Sequence, residues 1–167
     1  MATALKQADL GDAIVAELSH RTVLTLATTG EGEPHAVSLF YAHDGFDIYW
    51  LSDPTTRHSK HLAASPSAAV TIAAQYEDFR DICGLQMQGN ARRLGGADEE
   101  AAGLNLLIAR YPFLEQFATG KLAQNLDAAA VYRFCPARLT LIDNSRGFGF
   151  KQTLDLADRS GQSMDRN

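Results

Sequence analysis

The run TVLTLATTGEGEPHAVSLFYAHDGFDIYWLS, residues 22–52, decides the class of fold. Its β-branched and aromatic residues alternate with polar ones, which is the period of a strand with one buried face. Turn residues divide the run and predict three strands, Thr22–Ala27, Pro34–Ala42 and Phe46–Ser52. The Asp44-Gly45 pair between the second and third strands is a hairpin signal, and it predicts antiparallel pairing.

The sequence on either side of this run predicts further strands and several helices. Upstream, Leu10, Ile14 and Leu18 recur at helical spacing and predict a helix over Ala8–His20. Pro136 lies in the last predicted strand and indicates a bend or an edge position there. Downstream, the predicted elements are a helix Arg57–Ala64, a strand Ala68–Ala74, a strand Asp81–Leu94 with bulges at Gly84 and Gly89, a helix Gly96–Tyr111, helical turns over Pro112–Gly120, and a strand Ala128–Ile142.

Together these elements predict a mainly β, α+β fold with six antiparallel strands. One helix precedes the first strand, and others lie between strands three and four and between strands five and six. Short hairpins and six strands in so short a chain favour a closed or nearly closed barrel. We expect a single domain over residues 1–150, followed by a partly disordered C-terminal tail over residues 151–167.

The composition of the 167 residues excludes several classes of protein. A net charge of −5 argues against a nucleic-acid binder, which needs surplus Lys and Arg to neutralise phosphates. No apolar run approaches the ~20 residues needed to span a bilayer, so we expect no membrane partner. Two cysteines, Cys83 and Cys135, lack the spacing of a disulfide framework or metal motif. With no signal-peptide pattern at Met1–Leu10, we expect a cytoplasmic protein with reduced thiols.

The common catalytic and metal motifs are absent or incomplete. The run Gly147-Phe148-Gly149-Phe150 begins like a dinucleotide-binding fingerprint but lacks its third glycine and the helix that should follow. There is no phosphate-binding GxxxxGK[ST] loop and no GxSxG nucleophile elbow. His58 and His61 are three residues apart on a predicted helix, but no third ligand is near in sequence, so we expect no metal site.

The segment Ser52–His61 has the chemistry of a phosphate site. A strand ends, a tight turn follows, and a helix begins, whose first N–H groups attract an anion. Thr55 and Thr56 could donate through their hydroxyls, and Arg57 could add a bidentate charge-assisted contact. The alternative is a capped helix with a solvated basic face.

The fifth predicted strand has one apolar and one polar face. Cys83, Leu85 and Met87 share the face that we expect to pack inside the barrel, and Gly84, Gln86 and Gln88 share the outer face. A plain solvent-facing strand would explain the glutamines. Alternatively, a Gln amide can both donate to and accept from the edge of a flavin ring.

In order and spacing, these motifs resemble the pyridoxamine-5′-phosphate-oxidase-like flavin-binding split-barrel superfamily. The resemblance covers about residues 23–142. It is carried by Tyr49–Ser52 leading into Thr56-Arg57-His58, and by Ile82–Gly89 followed by Arg92-Arg93-Leu94. The tail Asp143-Asn144-Ser145-Arg146-Gly147-Phe148-Gly149 is similar to that of a small bacterial subgroup without an assigned function.

The resemblance implies a six-stranded, Greek-key split barrel that forms a homodimer and holds FMN at the subunit interface. We expect the dimer to form through an apolar face on the second and fifth strands. The residues implied as cofactor contacts are Val37, Ser38 and Leu39 along the ring, Leu51 and Ser52 beside the ring and ribityl chain, Thr56, Arg57 and His58 at the phosphate, and Gln86 or Gln88 on the other side of the ring.

Two positions depart from the family pattern. Pyridoxamine phosphate oxidases carry an Arg near the start of the second strand and a Lys at its end, both serving phosphate. Here those regions read His35 and Phe40-Tyr41. We therefore expect FMN to be the cofactor but not vitamin B6 to be the substrate.

The predicted function is an FMN-dependent oxidoreductase acting on a small molecule or electron donor. His35, His58 and Tyr41 are the weak candidates for assisting the chemistry, which would reside in the flavin. The alternative is a non-catalytic protein that carries flavin, haem or a deazaflavin. Phe148 and Phe150 could cover the flavin or the partner subunit, or pack into a groove of their own chain.

Overall fold

The fold is a single curled antiparallel sheet accompanied by helices. A computed structural model describes residues 4–115 and 129–156. The strands run in the order β2-β1-β5-β6-β7-β4-β3, and β8 also pairs with β7. The helices are α1 (Gln7–His20), α2 (Arg57–Ala64) and α3 (Ala97–Arg110). The strands are β1 (Val23–Gly30), β2 (Glu33–Phe40), β3 (Ala42–Asp44), β4 (Asp47–Ser52), β5 (Ser67–Ala73), β6 (Cys83–Arg93), β7 (Ala130–Asp143) and β8 (Lys151–Asp155).

The predicted mainly β, antiparallel α+β fold is confirmed, but the sheet has eight strands rather than six. The predicted strand Pro34–Ala42 is two strands, because β2 pairs with β1 whereas β3 pairs with β4. Residues 151–155, which we had assigned to the tail, form β8. The prediction of helical turns over Pro112–Gly120 falls largely outside the described residues, as does the rest of the tail from residue 157.

A single residue, Tyr41, connects the two edge strands of the sheet, β2 and β3. Consecutive segments can occupy opposite edges only if the sheet curls until those edges meet. β2 and β4 then lie in contact without pairing, which leaves the barrel split between them. The Tyr41 ring is buried, and its hydroxyl donates to the main-chain oxygen of Leu18 at 2.8 Å. Its hydroxyl thereby ties this junction to the end of α1.

The core lies inside the curled sheet and is closed by α1. Leu10, Ile14 and Leu18, on the inward face of α1, are fully buried among strand residues such as Trp50 and Phe134. A smaller apolar cluster lies between α3 and strands β3 and β7, formed by Ala42, Leu94, Leu107, Tyr111 and Val131. No helix of the described ranges is both long and apolar enough to cross a bilayer.

Of the two predicted bulges in β6, one is present. The β6–β7 register shifts between Gln88 and Gly89, opposite Pro136. A Cβ at Gly89 would overlap the Cys135 carbonyl oxygen, so this position requires glycine. Gly84 pairs regularly instead. Pro136 lies in a central strand, so the predicted edge position is wrong and the predicted bend is the correct alternative. Proline has no N–H to donate, and the bulge accommodates this gap in the pairing.

The two ends of the described chain meet at one side chain. The Gln152 amide of β8 accepts the Leu5 N–H at 2.7 Å and donates to the Leu5 carbonyl at 2.6 Å. These bonds hold the segment before α1 against β8.

Candidate functional site

The turn between β4 and α2 is held by its own side chains. The Asp53 carboxylate accepts the Thr55 N–H at 2.7 Å, and bonds from Thr55 hold the pKa of Asp53 below its ordinary value. The Asp53 carbonyl accepts the Thr56 hydroxyl at 2.8 Å. Thr56 is the N-cap residue of α2, and no described side chain caps the first turn. The first N–H groups of α2 are therefore available to an external acceptor.

Three of the predicted cofactor residues bond mainly to one another. His58 Nε2 lies 2.6 Å from Ser52 Oγ and 3.2 Å from Thr56 Oγ1. Thr56 Oγ1 is also 2.8 Å from Ser59 Oγ. Ser52, His58 and Ser59 are buried. This cluster therefore shapes the start of α2 from beneath.

Arg57 is the predicted phosphate residue that is open to a ligand. Its side chain is 60% exposed, and its guanidinium lies 3.7 Å from the Glu33 carboxylate of β2, which is 73% exposed. An ion pair between two exposed side chains contributes about 0–1 kcal/mol. A more highly charged anion could therefore displace Glu33 from Arg57.

Three histidine rings meet between β2 and α2. His35 stacks parallel to His58 with ring centres 6.2 Å apart, and lies edge-on to His61 at 6.1 Å. His61 Nδ1 is 3.1 Å from the Thr28 hydroxyl. Burial first, then the charges of His35 and His61, lower the pKa of His58 below its ordinary value. Within the described ranges no three potential ligands are placed to hold a metal ion.

The other residues predicted beside the flavin ring differ in orientation. Ser38 is exposed on the outer face of β2, whereas Val37 and Leu39 are half-buried against the core. Leu51 is half-buried in the apolar cluster under α3. Because β2 is an edge strand, its outer main-chain groups are not paired within the sheet.

Gln86 and Gln88 lie on the outer face of β6, as the alternation predicts. Gln86 belongs to a row of paired polar residues that crosses six strands, Ser38–Thr25–Thr71–Gln86–Thr140–Thr153. In the neighbouring row of side chains on the same face, Gln88 lies between Ala69 and Arg138. Small and polar side chains make up most of this outer face, with Val23 and Phe40 exposed at one end of it, so the face predicted to form the dimer is mainly polar rather than apolar.

The outer face contains a shallow cavity of about 290 Å³. It is lined by Thr25, Ala27, Ala69, Val70, Thr71, Gln86, Met87, Gln88, Arg138 and Thr140. None of these lining residues belongs to α2. The structure therefore brings Ser52, Thr55, Thr56, Arg57 and His58 together at one place and the two glutamines at another.

The sequence interpretation missed several neighbours of the site. Glu33 lies beside Arg57, and His35, which the sequence offers only as a candidate for assisting chemistry, stacks on His58. His61 meets His35 and bonds to Thr28. These contacts join β1 and β2 to α2 across more than twenty residues, and no local pattern encodes them. The spacing of His58 and His61 on one helix was the available signal.

The aromatic residues of the tail lie on the surface of the chain. Phe148 is 86% exposed and meets Phe79 edge-on, with ring centres 5.6 Å apart. The Arg146 guanidinium lies 6.0 Å from the Phe150 ring. At that exposure Phe148 is not packed into a groove of its own chain, which was one of the two alternatives.

Residues 10–142 match the model of the pyridoxamine 5′-phosphate oxidase family. The chain is 30% identical over 136 residues to a UPF0306 protein of Klebsiella pneumoniae, covering 80% of this chain and 85% of the relative. Among solved structures it is similar to a heme binding protein from Mycobacterium smegmatis, with a TM-score of 0.70 and 22% identity over 92% of this chain and 59% of that one. It is also similar to General Stress Protein 26 from Bacillus anthracis, with a TM-score of 0.64 and 16% identity over 88% and 98% of the two chains. The family model covers most of the chain, and a relative is 30% identical over 80% of it: the chain belongs to the pyridoxamine 5′-phosphate oxidase family.

Proposed function

We propose that this protein binds FMN and serves as a flavin-dependent oxidoreductase for a small molecule other than vitamin B6. The observation that carries the proposal is the start of α2, where uncapped N–H groups stand beside the exposed guanidinium of Arg57. A helix N-terminus and a guanidinium are both suited to a phosphate dianion.

The residues present fit the phosphate of FMN. Thr55 is exposed on the same turn, and among the described residues the ion-pair partner of Arg57 is the exposed Glu33. Ser52 and His58 would act from beneath, by fixing the turn through the 2.6 Å bond between them. Direct phosphate contact would therefore fall to the α2 main chain, Thr55 and Arg57, and His58 would be a positioning residue.

The isoalloxazine ring would lie along the edge of β2, at Val37, Ser38 and Leu39. Edge main-chain groups there could bond to the ring, since they have no neighbouring strand. Gln86 and Gln88 are displaced from α2 within one chain, so in this proposal the partner's Gln86 or Gln88 completes the site. The cofactor site would then require a homodimer.

When bound, FMN supplies hydride and electron transfer. This chain would bind the phosphate, orient the ring along β2 and keep His58 neutral beneath the turn. Tyr41, considered as an assisting residue, is buried with its hydroxyl bonded to Leu18, and burial raises the pKa of its phenol. It would therefore act in the structure rather than in proton transfer.

A second candidate function is haem binding without catalysis. The cluster of His35, His58 and His61 favours it, and the mycobacterial neighbour is a heme binding protein. His58 is buried, and His61 bonds to Thr28 through Nδ1, whereas His35 lies on the edge strand β2, so we take His35 as the candidate axial ligand. A Soret band that His35→Ala removes would favour haem, and flavin bands that survive the same change would favour FMN.

The decisive experiment compares FMN with riboflavin, which has the same ring and no phosphate. Charge-assisted hydrogen bonds contribute roughly 1.5–3 kcal/mol each, so FMN should bind about two decades more tightly. Arg57→Ala should weaken FMN about ten- to a hundredfold and leave riboflavin nearly unchanged, and Arg57→Lys should recover part of the loss. Quenching of flavin fluorescence measures both affinities.

Lys60→Ala is the matched control, because Lys60 is an exposed cation one turn further along α2. It should change neither affinity by more than about twofold. Added salt should weaken FMN binding more in the wild type than in Arg57→Ala. Equal affinity of the wild type for FMN and riboflavin would contradict the proposed phosphate site.

A further inference from the structure

A cation, Arg138 of β7, lies beside Gln88 on the outer face of the sheet. The two residues are paired across β6 and β7, and both line the cavity of about 290 Å³ together with Gln86 and Thr140. Among the described residues that line this cavity, Arg138 is the charged one. A ligand in the cavity would therefore meet a guanidinium next to two side-chain amides.

The observed partner of Arg138 is Asp155 of β8. Arg138 Nε donates to Asp155 Oδ1 at 2.6 Å, and the two residues are paired across β7 and β8. Their side chains are 55% and 66% exposed, and an ion pair in that setting adds little to stability. Asp155 is not among the residues that line the cavity. Arg138 can therefore turn from Asp155 toward a ligand in the cavity, while Asp155 offsets part of its charge.

The register of β6 and β7 places Arg138 within reach of anything that Gln88 contacts. Neighbouring strands are about 4.8 Å apart, and an Arg side chain is longer than a Gln side chain. In the proposed function, the partner's Gln86 or Gln88 reaches the ring of an FMN bound along β2. Since both glutamines line the same cavity as Arg138, that ring would lie close to the partner's Arg138.

A guanidinium at this place would affect the two redox states of the ring unequally. Two-electron reduction to the anionic form adds two electrons and one proton, so the ring gains one negative charge. A nearby cation stabilises the anion more than the neutral oxidised ring and raises the reduction potential. The amides of Gln86 and Gln88 are uncharged, so they discriminate less between the two states.

We propose that the partner's Arg138 sets the reduction potential of the bound FMN, by turning from Asp155 toward the flavin ring across the subunit interface. The inference deepens the proposed function and rests on it for the flavin and for the dimer. It assigns a role to a charged residue that the sequence pattern did not single out.

The first measurement is the reduction potential of the FMN-loaded protein, titrated with dithionite in the presence of an indicator dye. Arg138→Gln should lower the ratio of the dissociation constants of oxidised and reduced FMN about tenfold. For a two-electron couple, that ratio corresponds to a potential lower by about 30 mV. Arg138→Lys should recover part of the shift, because it keeps the charge but loses the planar fork.

Two further variants separate charge from structure. Asp155→Asn leaves Arg138 in place and removes its counter-charge, so it should raise the potential. Arg80→Gln is the matched control: Arg80 is an exposed arginine paired with an aspartate, Asp78, and it does not line the cavity. It should leave the potential unchanged. Circular dichroism and light scattering verify that each variant is folded and has the same assembly state as the wild type.

Heterodimers test whether Arg138 acts on the partner's flavin. Differently tagged Arg57→Ala and Arg138→Gln chains are co-expressed and purified through both tags. If the site is shared, one of the two sites combines Arg57 of one chain with Arg138 of the other, and it should bind FMN with wild-type affinity and potential. If Arg138 acts within its own chain, every site with Arg57 carries the substitution at position 138, and the potential stays shifted.

The outcomes separate this inference from the proposed function. Wild-type protein that does not prefer FMN to riboflavin would refute the proposed phosphate site, and the inference would fall with it. Tight FMN binding with a potential indifferent to Arg138→Gln, or with equal shifts in Arg138→Gln and Arg80→Gln, would overturn the inference alone. A shifted potential in the heterodimer would overturn the action across the interface. A lowered potential in Arg138→Gln, a raised one in Asp155→Asn and rescue in the heterodimer would support it.

Discussion

His58 occupies a buried position that disfavours the charged form of its imidazole. It lies beneath α2, bonded to Ser52 and facing His35 and His61, and the start of the helix rests on it. A neutral ring can both donate and accept here, whereas a protonated ring can only donate. The stability of this turn therefore depends on pH through His58.

We expect the free energy of unfolding to fall as pH is lowered below about 6.5. The folded-state pKa of His58 is below its ordinary value, so the unfolded chain binds the proton more readily in this interval, and stability rises with pH there. Urea denaturation at pH 7.5 and pH 5.5 measures the difference. It should shrink in His58→Gln and persist in His20→Gln, whose parent ring is exposed. Equal pH dependence in both variants would refute the assignment.

Individual residues of the site were predictable to different degrees. The chemistry of Thr55, Thr56 and Arg57 follows from a helix start after a strand, which is a local pattern. The burial of His58 does not, because it results from packing under β2. The contact of its ring with the phosphate stays a prediction. In the structure, the ring forms a hydrogen bond with Ser52.

Among the elements, β2 and β3 illustrate how tertiary structure divides one sequence pattern. Residues 34–42 form one run that no turn residue interrupts, so they predict one strand. In the structure the chain leaves β2 at Phe40 and enters β3 at Ala42, on the opposite edge of the sheet. No turn residue marks this change, because the curvature of the whole sheet supplies it. The strands β1, β4, β5, β6 and β7 were predictable because each keeps one set of pairing partners along a run of strand-forming residues.

The strand β8 yields a prediction about stability. Leu154 is buried in the core, opposite Leu139 of β7. Leu154→Ala should lower the free energy of unfolding by about 2–4 kcal/mol, since it removes buried methyl groups and leaves a cavity. Lys151→Ala, at an exposed position of the same strand, should change it by less than about 0.5 kcal/mol. Urea denaturation measures both, and equal effects would show that β8 does not pack as described.

At the scale of the whole molecule, the outer face of the sheet affects how two copies of the chain could associate. Small and polar side chains line the rows that cross β2 to β8, so two copies could approach closely at this face. The amphipathic alternation of the strands predicted which residues face outward. It did not predict that this face would be so poor in apolar side chains, because a buried interface and a solvated surface can share that composition.

We expect a dimer of twice the 18.1 kDa chain mass at micromolar concentration, measured by light scattering. Ala27→Arg places a long charged side chain in the middle of the outer face and should convert the dimer to a monomer. Gln75→Arg adds the same charge at an exposed position after β5 and should leave the dimer intact. FMN affinity should fall with Ala27→Arg, because the proposed site needs both subunits. A monomeric wild type would contradict the shared site.

The bonds between Leu5 and Gln152 have a consequence for the order of folding. They close a loop of almost the whole described chain, and contacts between such distant residues carry the highest loop-closure entropy. We therefore expect them to form after the rate-limiting step. In stopped-flow experiments Gln152→Ala should speed unfolding several-fold and leave the refolding rate nearly unchanged. The bonds between Leu5 and Gln152 would then determine the lifetime of the native state but not the rate at which the chain folds.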